Sequence, residues 1–216
     1  MIIEPLSQIG LARHLKVTVD NITFETPNVV SFYKTRSPDS VPESLFSFST
    51  SYKLHEDGLI RFPKVENIPY KNIVKKRERA AIVIGTPEES LEDVDIVFTI
   101  VDKHTGLNYR RMLERILKIR SMMREDSILY LSGIFDPKSL PLLYYFGVDL
   151  VDNSFFVSKK SFEKITEYMT KISRKVRKLI DDKTLRDFLE VIARVSQYNA
   201  SMLKIGEKCY YKELER

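Results

Sequence analysis

Cysteine is almost absent: Cys209 is the only one in the chain. A single thiol excludes an internal disulfide and any zinc site built on several thiolates. Histidine is nearly as scarce, and His14, His55 and His104 stand too far apart in sequence to give a local metal-ligand spacing. No metal and no cofactor is expected. Tryptophan is missing altogether. No run approaches the roughly 20 apolar residues of a membrane span. The opening Met1-Ile2-Ile3-Glu4-Pro5 lacks the basic and apolar regions of a signal peptide, so a cytoplasmic location is expected.

What is present reads as a globular domain. The 216 residues are 43% hydrophobic and 30% charged, enough apolar material to build a sizeable core. The net charge of +5 suits a polyanionic partner without requiring one.

The first part of the chain, residues 1–79, reads as β-rich. Leu15 to Phe24 has two alternating apolar runs around Asp20-Asn21, a hairpin signal. Thr26-Pro27 leads to a further strand, Asn28 to Tyr33. Residues 34–44, with Pro38, Pro42 and three serines, predict a loop. Leu45 to Tyr52 and Gly58 to Phe62 are additional strand candidates, and Lys71 to Arg79 reads as a basic connector.

From residue 80 to 158 the pattern alternates between strand and helix. Ala80–Ile84, Asp95–Val101, Ser127–Leu131 and Val148–Val151 are short, continuously apolar runs of the kind that parallel sheets bury on both faces. Between them, a helix from about Asn108 places Tyr109, Met112, Leu113, Ile116, Leu117 and Met123 on one face, with Arg110, Arg111, Glu114, Arg115 and Lys118 on the other. Asp136-Pro137 supplies an N-cap and a first-turn proline, and Gly147 closes the same helix. Residues 159–216 read as helical. Phe162, Ile165, Met169, Ile172, Val176 and Leu179 form one seam, and Thr184 precedes a second helix. The seam serves equally well for packing within the chain or between chains. The fold class is therefore α/β: a partial or reduced TIM-barrel-like parallel sheet, an N-terminal antiparallel β segment and a C-terminal helical region.

Three stretches resemble the superfamily of tRNA-guanine transglycosylases and archaeosine synthases. The first is Gly10-Leu11-Ala12-Arg13 with the following hairpin and Thr26-Pro27. The second, and most specific, is LYLSGIFDPKSLPLLYYFGVDLVDN over 129–153, with a glycine ending a strand, a proline-started helix, and a Gly-hydrophobic-Asp-hydrophobic-hydrophobic-Asp motif. The third is VRKLIDDKTLRDFL over 176–189. The resemblance implies a transglycosylase-like domain that acts in tRNA modification, of the 7-deazaguanine type, and it places Asp152 where the family has its nucleophilic aspartate. Asp149 belongs to the same motif and Gly133 opens it. Asp102, ending DIVFTIV, is a secondary candidate of similar topological position. On a strand, residues 149 and 151 face one way and 152 the other.

The chain also departs from the family. The Ser-Gly-Gly-Phe-Gln segment with the second carboxylate has no counterpart, nor do the glycine-rich base-binding segment and the family's cysteine motifs. These departures imply either a transferase subunit whose site a second chain completes, or a tRNA-binding homologue that has lost the chemistry. A small-molecule enzyme on a barrel-like fold is a third reading, which predicts no tRNA affinity. For Asp152 the structural alternative is a strand-end carboxylate capping the Asn153-Ser154 turn. For Gly133 it is close backbone approach.

Residues 159–186 hold ten Lys or Arg against four acids. Lys159, Lys160, Lys171, Arg174, Lys175, Arg177 and Lys178 are candidate contacts for an RNA backbone, and an ordinary solvated helix face is the alternative. A half-built barrel would expose strand edges, so a homodimer or a heteromeric partner is expected.

Overall fold

The computed structural model describes residues 1–19, 22–30, 53–54, 60–61, 73–77, 79–100, 109–134, 136–156 and 159–214. The expected loop 34–44, the strand candidate 45–52, Asp102 and His104 lie outside them.

The chain begins with an antiparallel meander of β1 (Ile2–Ile9), β2 (Ala12–Val19) and β3 (Ile22–Thr26). Val19 pairs with Ile22, so β2 and β3 form the hairpin that the sequence predicts. Strand β1 has no clean alternation to announce it. Its register shifts between Pro5 and Ser7, an irregularity that suits a proline without an N–H.

A six-stranded sheet follows. It contains β4 (Asn28–Val30), β7 (Ile73–Arg77), β8 (Ala80–Ile84), β9 (Ile96–Ile100), β10 (Ile128–Ser132) and β11 (Leu150–Asp152), in the order β4-β11-β10-β9-β8-β7. Five of these strands are parallel, and only β7 runs antiparallel, against β8. The stretch expected as a basic connector is thus an edge strand. Its hydrogen bonds to β8 decide its conformation, and a lysine-rich sequence is what an edge tolerates. Along β8, β9, β10 and β11 each strand lies beside its predecessor, and β4, the earliest parallel strand, lies beyond the last. A short pair, β5 (Lys53–Leu54) with β6 (Ile60–Arg61), stands apart.

The helices are α1 (Tyr109–Ser121), α2 (Leu140–Tyr145), α3 (Phe162–Asp181), α4 (Leu185–Arg194) and α5 (Gln197–Leu214). Alternation along the parallel strands sends side chains into two cores. Ala81, Val83, Val97, Leu129, Leu131 and Val151 pack with the buried faces of the helices. Ala80, Ile96, Phe98, Ile128, Tyr130 and Leu150 form a second cluster on the opposite face. Leu15, Val17 and Phe24 of the meander join that second cluster beside the residues that start the parallel strands. The meander therefore covers the N-terminal end of the sheet.

One position on the helices departs from its expected face. Arg115, read as a surface residue of α1, is buried, because the apolar stripe is wide enough to draw it in with Ile116 and Ile119. The seam of α3 packs inside the chain: Met169, Val176 and Ile180 belong to the main core, with Phe162, Ile165, Ile172 and Leu179 at its margin. No described helix is long and apolar enough to cross a membrane.

Candidate active site at the end of the parallel strands

Strand β10 ends at Ser132, and Gly133 follows with a φ of +82°, a conformation that glycine adopts without penalty. Asp136 then caps the turn Pro137–Ser139, its Oδ1 accepting from the Lys138 N–H at 3.0 Å. Helix α2 carries the chain back, and Gly147, at φ +91°, ends it as the sequence predicts. The chain enters β11, which terminates at Asp152.

The two aspartates of the motif are separated by this strand. Leu150 lies in one core and Val151 in the other, so Asp152 shares the face of Tyr130 and Leu150. The Tyr130 hydroxyl donates to Asp152 Oδ2 at 2.8 Å, and the Gly133 N–H approaches Oδ1 at 3.5 Å. Phe98 packs edge-on against the Tyr130 ring at 5.2 Å. Asp152 is fully buried. Asp152 is thus a buried carboxylate at the C-terminal end of a parallel strand, held by a phenol and a backbone amide.

Asp149 lies at the other end of β11. Its Oδ2 accepts from Arg13 Nη2 and, at 2.8 Å, from the Leu129 N–H, with Arg120 Nη1 3.9 Å away. This carboxylate neutralises buried guanidinium charge at the base of the sheet, and Gly133 and Asp152 stand at the opposite edge. Arg13 belongs to the family-like Ala12-Arg13 pair, but its contact with Asp149 depends on segments far apart in the chain and was missed from the sequence. Tyr130 was likewise missed, because its contact with Asp152 depends on the pairing of β10 with β11.

Asn153, also buried, donates from Nδ2 to Thr166 Oγ1 at 3.0 Å and so ties the start of α3 to the end of β11. Between them Phe155 is exposed and packs edge-on against buried Phe156, with Lys159 Nζ 4.8 Å from the Phe155 ring. The phenol of Tyr109 is pushed up to about 12, first by burial and then by the negative charge of Asp136. Tyr168 on α3 is raised by the same two causes.

The basic candidates divide. Lys159, Lys160, Lys171, Arg174, Lys175 and Lys178 are exposed, and the last four share one face of α3 with Lys164. Lys171 pairs with Glu167 at 2.6 Å, and Lys175 Nζ sits 4.0 Å over the Phe188 ring. Arg177 points inward instead. It is buried, donates from Nη1 to the Pro27 carbonyl at 2.8 Å and lies 3.4 Å from Glu25, which also approaches His14. Among the described residues no cluster of three metal-ligating side chains is present.

No family model matches the chain. Over 117 aligned residues it is 27% identical to archaeosine synthase subunit alpha of Thermoplasma acidophilum. The match covers 46% of this chain and 23% of that protein. The chain thus spans less than a quarter of the relative it resembles, and the likeness is a distant one to a subunit of archaeosine synthase.

Proposed function

We propose that this chain works in tRNA modification as a reduced, transglycosylase-like relative of archaeosine synthase, with Asp152 as its nucleophile and a second chain completing the site. The observation that carries the proposal is the position of Asp152. It ends an interior parallel strand, on the face away from the helices, with Tyr130 and Gly133 holding its two oxygens. The strand order supports the same reading, since a first parallel strand beside the last is the neighbour relation that closes a barrel.

In this reading the Asp152 carboxylate attacks C1′ of the target nucleotide's ribose. The bond from C1′ to the base nitrogen breaks, and the base leaves with the bonding pair and takes up a proton. An incoming base then attacks C1′ through its ring nitrogen, passes that nitrogen's proton to the conjugate base of the acid that protonated the first, and releases the carboxylate. Tyr130 holds Oδ2 and aligns the attacking oxygen, so its role is positioning. Because Asp152 is fully buried, substrate entry must displace what covers it. The exposed cations of α3, and Lys159 and Lys160 before it, supply the attraction for the tRNA backbone. A homodimer partner or a different chain supplies the acid that protonates the leaving base.

The complete burial of Asp152 favours one alternative: a tRNA-binding homologue in which this carboxylate only holds Tyr130. The two readings separate in cells lacking the chain, complemented with wild type, Asp152→Asn or Asp152→Ala, with modified nucleosides in tRNA measured by mass spectrometry. The enzyme reading predicts loss of product by several orders of magnitude for both variants, as when a covalent nucleophile is removed. Persistence of the modification with Asp152→Asn supports the binding reading and removes the catalytic one.

A further inference from the structure

Two aromatic rings stand out to solvent among the described residues, and both lie at the Asp152 end of the sheet. Phe155 and Tyr168 are 44% and 42% exposed, while every other described phenylalanine and tyrosine is buried or half-buried. Phe155 sits in the single turn Ser154–Phe156 that follows β11. Buried Phe156 packs edge-on against its ring at 5.4 Å and anchors it. Tyr168 belongs to α3, whose start is tied to the end of β11 by the bond from Asn153 to Thr166. The same helix packs on the turn Pro137–Ser139 that follows Gly133. The Tyr168 phenol is raised first by burial and then by the charge of Asp136, which sets it beside that turn.

Cations accompany both rings. Lys159 Nζ lies 4.8 Å from the centre of the Phe155 ring and 5.3 Å from that of Phe156. On α3, Lys164, Tyr168, Lys171 and Lys175 follow the i, i+4, i+7, i+11 spacing of one helical face, and all four are exposed. From 159 to 175 the chain holds six Lys or Arg against two acids, Glu163 and Glu167, and Glu167 is paired with Lys171. Asp136 disfavours a phosphate directly at the Tyr168 ring but not a neutral base. Rings interleaved with cations are the pattern that holds single strands, the ring taking a base and the cation a phosphate. A duplex keeps its bases stacked inside and offers such a ring nothing to stack on.

We propose that Phe155 and Tyr168 each stack an unpaired base, so that this face takes a single-stranded segment of RNA, with Lys159, Lys164 and Lys171 on its phosphates. This rests on the tRNA partner proposed for the chain and not on the chemistry of Asp152. Phe155 follows Asp152 closely along the chain, so an unpaired loop, not a helical stem, is the part of a folded RNA brought to that carboxylate.

The test is a fluorescence-anisotropy titration of the full chain against three labelled probes: an oligouridylate of about 12 nucleotides, a blunt RNA duplex of the same length, and folded tRNA. The single strand should bind at least about tenfold more tightly than the duplex. Phe155→Leu and Tyr168→Leu should each weaken single-strand binding about tenfold at unchanged salt dependence, since a lost stack removes no charge. Duplex binding should not move, and Tyr168→Phe should keep the affinity of the wild type. Phe155 also packs on Phe156, so Tyr168, on the exposed face of a helix, is the variant that separates binding from folding. Equal binding of strand and duplex, or single-strand binding unmoved by both leucine variants, overturns the stacking platform and leaves the tRNA reading standing if tRNA still binds. Binding to none of the three probes overturns both.

Discussion

Asp149 and Asp152 lie three residues apart in one motif and meet opposite fates. Asp149 stands against two buried guanidiniums, and removing its charge takes away the buried carboxylate that pairs with Arg13. Asp149→Ala should cost about 3–5 kcal/mol of stability, read as a lower urea midpoint. Asp152→Asn keeps an acceptor for the Tyr130 hydroxyl and should cost far less, leaving the midpoint nearly unchanged. Equal losses in the two variants would mean that Asp152 is held as a structural charge rather than kept for chemistry. Arg177 carries the same lesson among the cations. Its guanidinium serves Pro27 and Glu25 inside the fold, so its replacement should act on stability and leave the salt dependence of RNA binding intact.

At the scale of elements, α3 has two distinct faces. Met169, Val176 and Ile180 are buried, and the exposed side holds Lys164, Lys171, Arg174 and Lys178. If this face tracks a nucleic-acid backbone, the triple change of Lys164, Lys171 and Lys178 to Gln should weaken tRNA binding. It should also flatten the log-log salt slope by about 2, each phosphate contact contributing roughly 0.7–0.9. Filter binding across a salt series reads both effects, and an unchanged slope would assign the face to solvent. Helix α5 docks through a different device. A Cβ on Gly206 would fall 2.1 Å from Phe146 Cζ, inside a fully packed ring. Gly206→Ala should therefore destabilise by about 1–3 kcal/mol, although alanine is the better helix former, and denaturant unfolding will show which effect wins. Gly147 combines two demands. Its positive φ ends α2, and an added Cβ would press on the Arg120 side chain at 3.2 Å.

For the whole molecule, alkaline pH tests the burial of the tyrosines. Tyr109 is raised to about 12, and Tyr144, buried against Ser173, is raised further. An unfolded tyrosine loses its proton near pH 10. Above that pH the unfolded state binds fewer protons than the native state, so stability falls as pH rises. Tyr168 is raised as well, and Arg120, lowered from 12.5 to about 10, works in the opposite direction, one group against three. Unfolding followed by circular dichroism should set in above pH 10, together with late ionisation of these three phenols in the phenolate absorbance. Phenols that all titrate near pH 10 in the folded protein would contradict this burial. The sheet's strand order ends at β4 and β7. Copurification of the chain from its native cell, with identification of bound protein and RNA, tests whether a second chain or another copy completes the site.

The sequence by itself determined which segments are strands and helices wherever local rules speak plainly. Continuous apolar runs gave β8 to β11, the 3.6-residue period gave α1, α3 and α4, and Asp136-Pro137 and Gly147 bounded the stretch that contains α2. Those rules act between near neighbours, where backbone geometry and burial of one face suffice. It did not give β1, whose pattern proline interrupts, or the strand nature of the basic segment 73–77, which depends on its partner β8. The family resemblance pointed to Asp152 and Arg13, but not to what they touch. Only the tertiary structure decided that Asp152 meets Tyr130 while Asp149 meets Arg13 at the far end of the same strand. That division follows from strand register and from alternation across two cores, which are set between segments far apart in the chain.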